Sequence, residues 1–328
     1  MKKTHLSIVA ALFAALCASA GPRAAATEEF VKHAVRAGES VSLICIDHFG
    51  YWSADMGKAV ARDNPSLKDI NVIAIEQVLV LHNPYYKGEK PAQAAAPAAA
   101  EQKVAASQGV VTCVEGDALV IPKAGAKRKL SVNTIVYPGD VVVTQANGRV
   151  EIIVNRETVV RLRENTRLTV EAFRDAQAGA GKTKMGFTLG SVWAKIRRFQ
   201  DKVSRFDLEL PTAIAGVHGT VYEASVEKDS SSEVKVYTGE VAVKNNPAVH
   251  AAAGGEVGEV NGPGEVAGPS EVSMDQWVTI VHDMQKIRID KKGKPKPVED
   301  FKRNEADSWE KWNTERDRRI GELFEESE

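Results

Sequence analysis

A succession of short β-branched runs between Gly109 and Lys244 constrains the fold of this chain more than any other feature. Gly, Asp and Asn punctuate the runs, and no helical period lies between them. Strands separated by turn signals predict an all-β domain of stacked or sandwiched strands. The runs include CVEGDALVI (113–121), YPGDVVVT (137–144), GRVEIIV (148–154), FTLGSVWAKI (187–196), TAIAGVHGTVYEASV (212–226) and EVKVYTGEVAV (233–243). No nucleophile, general base and orienting partner follow one another in a recognisable order, which favours a binding or scaffolding domain over an enzyme.

Residues 1–26 have the pattern of a secretory signal peptide. Two lysines precede an apolar run over 6–16, and small residues lead up to Ala20. The run is shorter than the roughly 20 residues that a bilayer-spanning helix needs. We expect cleavage after Ala20 or Ala26, and the bulky leucine before Cys17 argues against a lipoprotein. No later segment of the sequence is predicted to span a membrane, so we expect an exported protein of the periplasm or cell envelope.

The charge balance and the cysteines limit the chemistry that we expect. The chain has 43 Lys and Arg against 44 Asp and Glu, a net charge of −1, which gives no reason to expect a nucleic-acid partner. No second ligand stands at metal-binding spacing from His218, and we expect neither a metal nor a cofactor. Cys45 and Cys113 remain after the signal peptide. They either form a disulfide in an oxidising compartment or stay two small core residues.

Two compositional linkers divide the mature chain into three units. Residues 85–108 are rich in Ala, Pro and Gln, and residues 247–272 are rich in Gly, Ala, Pro and Glu. Neither segment has an apolar period, so both are predicted to be extended or disordered. The units that they separate are 31–84, 109–246 and 273–328.

The first unit is predicted to fold as strand, helix, helix, strand. A short strand spans 33–35, and Ser40 is a candidate N-cap for the first helix. Ser53 is the corresponding candidate for the second helix. Asn64 ends that helix because the proline after it disfavours helical backbone. A second strand is predicted from Ile70 to Leu81.

The order of motifs in this unit resembles a LysM domain, a carbohydrate-binding module. HAVRAGESVSLIC (33–45), Asn64 with its proline, and Gln77 fall where the family has its opening, its Asn-Pro and its closing pattern, although Glu76 replaces the usual Gly. The resemblance implies binding of glycan that contains N-acetylglucosamine, chiefly peptidoglycan, in a groove between the loop after the first strand and the loop before the second. The implied contact residues are Gly38, Glu39, Ser40, Asn64, Pro65, Ser66 and Leu67. Tyr51 and Trp52 are candidates for stacking on a sugar ring, and Trp52 is alternatively a core residue.

The middle unit resembles a FecR-type domain. The matching segments are YPGDVVVT (137–144), VEIIVNRETVVRLRENTRLTV (150–170), LGSVWAKI (189–196), AGVHGT (215–220) and VYTGEVAV (236–243). The sequence departs from the family at 155–157, where Asn-Arg-Glu replaces Asp-Gly-Ser, but Asn still suits a hairpin turn. Transmembrane relatives take part in iron-uptake surface signalling with a sigma factor. That role is not carried over, because no transmembrane helix is predicted here.

Basic side chains share one face of the strands around position 165. In VVRLRENTRLTV the apolar residues alternate with polar ones, as in a strand with one buried face. The second face is either solvated or a contact surface for an anionic partner, together with the basic loop 197–206. The candidate partner-binding residues are Arg161, Arg163, Arg167, Arg197 and Arg198.

The third unit is predicted to end in an amphipathic helix. Within 299–328, large apolar residues recur at spacings of 3, 4 or 8, with charged residues between them. Two tryptophans on one stripe need an apolar partner, which is either the β domain of this chain or another envelope protein. A strand is predicted just before the helix, within MQKIRIDKKGKPKP. The stripe consists of Phe301, Trp309, Trp312, Ile320 and Phe324.

The sequence therefore predicts a mainly β protein. Its FecR-like all-β domain of stacked strands is preceded by a small α+β (βααβ) LysM-like module and followed by a C-terminal helix. The leading functional interpretation is an exported envelope protein that binds peptidoglycan through the module and uses the β domain as a non-catalytic scaffold or partner-binding module. The alternatives are a cell-wall glycan-acting enzyme that the module targets, a surface-signalling component, and a structural adhesin.

Overall fold

The computed structural model describes residues 28–86, 108–154, 158–173, 181–198, 204–247 and 277–324, with side chains of the last helix described as far as Gly321. Within these ranges the protein is mainly β, with a small α+β module first and a helix last, which confirms the predicted fold class. The predicted signal peptide (1–26) and nearly all of both predicted linkers lie outside the described residues.

The N-terminal module consists of two helices and one two-stranded antiparallel sheet. Its elements are β1 (Phe30–Ala34), α1 (Val41–Phe49), α2 (Ala54–Asp63) and β2 (Val78–His82). Ser40 and Ser53 cap the helices, because their hydroxyls accept hydrogen bonds from Leu43 N at 3.3 Å and Met56 N at 3.2 Å. The strand predicted from Ile70 to Leu81 is wrong over its first two thirds: residues 70–77 form turns and irregular loop, and β2 begins at Val78.

Seventeen strands of the described chain form the β domain. They are β3 (Gly109–Glu115), β4 (Ala118–Ile121), β5 (Arg128–Lys129), β6 (Ile135–Val136), β7 (Val141–Thr144), β8 (Arg149–Val154), β9 (Thr158–Leu162), β10 (Arg167–Ala172), β11 (Lys182–Ile196), β12 (Arg205–Glu209), β13 (Ala213–Val217), β14 (Val221–Val226), β15 (Ser232–Thr238), β16 (Val241–Asn245), β17 (Val278–Val281), β18 (Gln285–Ile289) and β19 (Glu299–Asp300). The hairpin turn predicted at 155–157 lies outside the described residues, but β8 and β9 pair as far as Val154 and Thr158.

The strands form two layers that share one long strand. Sheet I has the order β6-β3-β8-β9-β11-β14-β15-β18-β19. Sheet II has the order β5-β4-β7-β10-β11-β12-β13-β16-β17. The first half of β11 pairs in sheet II and the second half in sheet I. The change falls at Gly190, whose φ of 99° and whose contact with Thr166 leave no room for a Cβ.

The inward faces of the two sheets make the main core. Valines, leucines and isoleucines dominate it, with Phe187, Phe206 and Tyr222 as its large aromatic residues, all at most 1% exposed. Alternation along β9 and β10 follows the prediction, because Val160, Leu162, Leu168 and Val170 all lie in this core.

The outward face of sheet I carries two rows of side chains that other parts of the chain cover. An apolar row and a second row run side by side across its strands. We call the second one the charged row because Glu151 and Arg161 lie at its centre. The apolar row consists of Val110, Ile153 and Val159, and the charged row of Cys113, Glu151, Arg161 and Trp193. The apolar row belongs to the same hydrophobic cluster as α1 and β2, so the N-terminal module packs directly on the sheet.

The C-terminal helix α3 (Ser308–Phe324) lies over the charged row. Trp309 packs on Trp193 and Tyr237 of the sheet, and Ile320 joins the cluster of the N-terminal module. Both Trp309 and Ile320 are 0% exposed. The helix therefore docks on its own chain, one of the two outcomes that its apolar stripe predicts. The strand predicted before the helix is β18, whereas β17 is not evident in the sequence pattern.

Candidate functional site at the junction of the module and the β domain

The loop after β1 is held by hydrogen bonds within the module. Glu39 Oε2 accepts a hydrogen bond from Arg36 N at 2.7 Å and lies 2.8 Å from His33 Nε2. His33 Nδ1 in turn lies 3.0 Å from His48 Nε2. Burial opposes ionisation of Glu39, but the hydrogen bond with His33 and that from the Arg36 amide outweigh it, so the pKa of Glu39 lies below its ordinary value. Glu39 therefore shapes the loop.

The residues predicted at the second loop divide into buried and exposed ones. The Asn64 amide donates to Val60 O and Val80 O, both at 2.7 Å, and its oxygen accepts from Val80 N at 2.8 Å. Asn64 thus joins the end of α2 to β2 and is 6% exposed, which makes it a structural residue rather than a free ligand contact. Leu67 packs against the module core, whereas Pro65 and Ser66 are exposed.

The two candidate stacking aromatics are not presented to solvent as a platform. Trp52 is 3% exposed, and its Nε1 donates to the backbone oxygen of Asn133 at 3.0 Å. Trp52 is thus a core residue of the module, which was the alternative, and a glycan contact by Trp52 stays a prediction. Tyr51 is half-buried with its ring centroid 6.4 Å from that of Tyr85. Burial, and then the neighbouring Tyr85, raise the pKa of Tyr51 to about 12.

One residue of the β domain bridges the first turn of α1 and the loop before β2. The Oδ1 of Asn133 accepts a hydrogen bond from Ser42 N at 2.8 Å. Its Nδ2 donates to Ile70 O at 3.1 Å and to Asn71 Oδ1 at 3.0 Å. Asn133 stands in the turn before β6 with a φ of 65°, a left-handed backbone that Asn tolerates better than most residues. The sequence pattern indicates only a turn there, so this junction could not be foreseen.

Arg161, predicted as part of a solvated or partner-binding face, is fully buried under α3. Its Nε donates to Glu151 Oε2 at 2.8 Å, and its Nη1 donates to Asn313 Oδ1 at 3.2 Å. Its Nη2 lies 2.8 Å from Asp317 Oδ1. The prediction of an exposed side chain is wrong because the face that β9 turns away from the main core is covered by the helix. The charge of Arg161 is balanced by the sheet and by the helix.

Arg316 of α3 links the β domain to the first loop of the module. Its guanidinium donates to both oxygens of Glu151, with 3.1 Å from Nε to Oε2, and its Nη1 donates to Gly38 O at 2.6 Å. Burial alone would raise the pKa of Glu151, but Arg316 and Arg161 outweigh it and lower that pKa to about 2. Gly38 has a φ of 81°, and a Cβ there would lie 1.6 Å from Arg319 Nη1.

The remaining arginines do not gather with Arg161 into one exposed surface. Arg163 pairs with Glu164 at 2.9 Å and with Asp307 at 3.6 Å. Arg167 is exposed on β10, Arg197 is half-buried and Arg198 is exposed next to Gly219. Most of the basic loop predicted at 197–206 lies outside the described residues.

The His, Cys, Asp and Glu side chains of the described ranges form neither a metal site nor a disulfide. No three His, Cys, Asp or Glu side chains in them are arranged to hold a metal ion. Cys45 and Cys113 are free thiols, and burial raises their pKa values to about 12 and about 11. No helix in the described ranges is long and apolar enough to cross a membrane.

Comparison with known proteins identifies one domain. Residues 140–242 match the family model described as "FecR protein". Two solved structures of a candidate anti-sigma factor from Parabacteroides distasonis, at 1.65 Å and 2.50 Å resolution, are each 14% identical to this chain, with TM-scores of 0.35 and 0.33. They cover 53% and 48% of this chain, which spans 64% and 57% of theirs, less than two thirds. TM-scores this low support no conclusion about the fold or the function of this chain. None of the curated proteins matches the sequence significantly. Residues 140–242 of this chain therefore form a FecR domain.

Proposed function

We propose that this protein is an exported, non-catalytic component of bacterial surface signalling, in which the FecR domain carries a glycan-binding module and presents it to the cell wall. The observation that carries the proposal is the family match of residues 140–242. The resemblance noted from the sequence implies that this domain type takes part in surface signalling; the iron-uptake and sigma-factor part of that role is not included in the proposal. No catalytic role is assigned to any residue of the domain.

The packing of the module on the FecR domain supports a coupled role for the two units. Val110, Ile153 and Val159 of sheet I lie in the hydrophobic cluster of the module. Arg316 contacts both Glu151 of the sheet and the loop at Gly38. A ligand that changes the position of that loop therefore acts directly on the sheet and on α3, which is what a sensing component requires.

Peptidoglycan is the proposed ligand of the module. The βααβ order, the Ser40 cap of α1 and the Asn64 clamp between α2 and β2 give the module the architecture that the LysM resemblance implies. Pro65 and Ser66 remain exposed at the loop before β2. A single module of this size buries little area on a glycan, so weak binding is expected from it.

Co-sedimentation of the full mature chain with insoluble peptidoglycan tests the proposal. We expect weak, saturable sedimentation that soluble N-acetylglucosamine oligomers reduce, and no release of soluble muropeptides into the supernatant. Ser66→Trp, which places a bulky side chain at the exposed loop, should reduce sedimentation, whereas Lys228→Trp on an exposed turn of the β domain should not. Absence of sedimentation would remove peptidoglycan from the proposal. Release of soluble fragments would favour the glycan-acting enzyme.

A further inference from the structure

The side-chain amide of Asn133 bridges the first turn of α1 and the loop before β2. Its oxygen accepts from the Ser42 backbone at 2.8 Å, and its nitrogen donates to the Ile70 carbonyl at 3.1 Å. An acetamido group offers the same pair, one carbonyl acceptor and one N–H donor on a planar amide. We propose that Asn133 occupies in cis a site for the acetamido group of an N-acetylated amino sugar, so that the β domain holds the module closed until glycan displaces it. This inference rests on the glycan-binding role proposed above.

The backbone N–H of Ser42 and the backbone carbonyl of Ile70 require hydrogen-bond partners, and an amide supplies both an acceptor and a donor. Ser42 lies in the first turn of α1, where a backbone N–H has no acceptor within the helix. Ile70 lies in a turn, and its carbonyl is directed to the amide nitrogen of Asn133. A planar amide presents its acceptor and its donor on two separate atoms at fixed geometry, whereas a hydroxyl presents both on one oxygen. The Ser42 N–H and the Ile70 carbonyl together therefore match an amide better than an unmodified sugar hydroxyl.

The aromatic candidate of the module is engaged by the same residue. Trp52 donates its indole N–H to the backbone oxygen of Asn133 at 3.0 Å and is 3% exposed. Displacement of the Asn133 turn would therefore free the Ser42 backbone donor, the Ile70 backbone acceptor and the indole N–H of Trp52 together.

The helix α3 closes the first loop from another side. Arg316 donates to Gly38 O at 2.6 Å. The guanidinium of Arg319 lies against the α-carbon of Gly38, because a Cβ placed there would be 1.6 Å from Nη1. Both contacts cover part of the loop at Gly38, which is one of the two loops proposed to contact the glycan. The structure thus has the features of a closed form.

Asn133→Gly in the full mature chain tests the inference. Glycine adopts the φ of 65° without strain and removes only the amide, so the turn and the backbone acceptor of Trp52 are retained. Asn165→Gly is the matched control, because Asn165 has a φ of 57° in another turn of the β domain. Binding of an N-acetylglucosamine tetramer is measured by titration calorimetry, and the glucosamine tetramer serves as the non-acetylated probe. We expect Asn133→Gly to bind the acetylated tetramer at least tenfold tighter than the wild type and Asn165→Gly, with no gain for the other probe.

Equal affinity in the three proteins overturns the occupancy of the site by Asn133, and it leaves peptidoglycan binding in place if the wild type sediments. Absence of binding in all three overturns the acetamido site together with the glycan role. Should Asn133→Gly melt far below the wild type, hydrogen–deuterium exchange of the wild type decides. Saturating acetylated tetramer should at least double the exchange rate of peptides covering 131–136. Unchanged exchange there overturns the inference.

Discussion

Five non-glycine residues of the described chain have a positive φ; Asn133 lies at the junction between module and β domain, and Glu76 lies within the module. Asn133, at 65°, is a residue type that tolerates left-handed backbone. Glu76, at 64°, is not, and its backbone N–H donates to Val35 O at 2.7 Å, so the strained geometry is fixed by the fold. The Gly that the LysM pattern places there would adopt this conformation freely. Glu76 therefore keeps the turn at an energetic cost.

Glu76→Gly should stabilise the protein by about 1 kcal/mol, because relief of left-handed strain outweighs the added freedom of glycine in the unfolded chain. Urea unfolding at neutral pH measures the change. Ala74→Gly is the control, since the φ of Ala74 is not positive and the substitution should destabilise by about 0.5–1 kcal/mol. A loss of stability in Glu76→Gly would mean that the side chain of Glu76 makes a contribution larger than the strain.

The carboxylate of Glu151 has the most perturbed environment of any acidic group described at the junction. It is 0% exposed and accepts hydrogen bonds from Arg161, Arg316 and the Thr112 hydroxyl. Its pKa falls from 4.5 to about 2 against the opposing effect of burial. A carboxylate with a lowered folded-state pKa contributes stability that is present above its unfolded pKa and is lost as the pH falls through the folded value.

Glu151→Gln should lower the free energy of unfolding at pH 7 by about 3–5 kcal/mol, because it leaves two buried guanidinium groups without their counter-charge. The wild type should lose this contribution between about pH 4.5 and pH 2, and the variant should show a flatter pH dependence in that window. Urea unfolding at several pH values measures both effects. Glu315→Gln is the control. The pKa of Glu315 is also about 2, but Glu315 and its partner Arg318 are exposed on the helix, where solvent screens the pair.

At the scale of elements, α3 is the most informative, because its buried side is not purely apolar. Trp309 and Ile320 are fully buried, but Asn313 is also 0% and Arg316 only 3% exposed. The polar residues lie over the charged row of sheet I, where Arg161 and Glu151 complement them. The helix is thus matched to this sheet by charge as well as by shape, and a purely apolar surface would leave its polar groups unsatisfied.

Trp309→Ala should lower the free energy of unfolding by about 3–5 kcal/mol, the usual loss for a fully buried aromatic residue. Trp312→Ala should cost less, because Trp312 stacks on Trp309 at 5.3 Å but is only half-buried. Chemical unfolding followed by far-ultraviolet circular dichroism measures both. Equal and small losses in the two variants would show that α3 does not contribute to the folded core.

At the scale of the molecule, local rules predict the elements but not what covers them. Ser40 and Ser53 as N-caps, and the alternation of Val160 and Leu162 with Arg161, follow from neighbouring residues alone. The local pattern predicts a solvated or partner-binding Arg161, because its covering residue Asn313 lies 152 positions away. Asn133 could not be assigned to the candidate site for the same reason, since 91 positions separate it from Ser42. Contacts between residues on either side of a predicted linker leave no pattern in the neighbouring sequence, so local rules do not predict them.

The same contacts predict that the module and the β domain unfold as one cooperative unit, although the linker composition predicts separate units. Ile153 is 2% exposed and faces the module, whereas its neighbour Ile152 is 0% exposed and faces the core between the sheets. Substitutions at these two adjacent isoleucines therefore test the docking of the module and the stability of the β domain separately. Each substitution to alanine should weaken the packing around it by about 2–5 kcal/mol. Ile153→Ala acts at the contact with the module, and Ile152→Ala acts in the core between the sheets.

Ile153→Ala should uncouple the module, so that calorimetry resolves two thermal transitions where the wild type has one, and hydrogen exchange rises in α1 before it rises in β11. Ile152→Ala should lower the single transition without splitting it, because it weakens the sheets on which the module depends. Two transitions already present in the wild type would show that the module folds independently and is only tethered to the β domain. In that case displacement of Asn133 by a ligand would require no global unfolding, and the coupling of glycan binding to the FecR domain would depend on Arg316 and α3 alone.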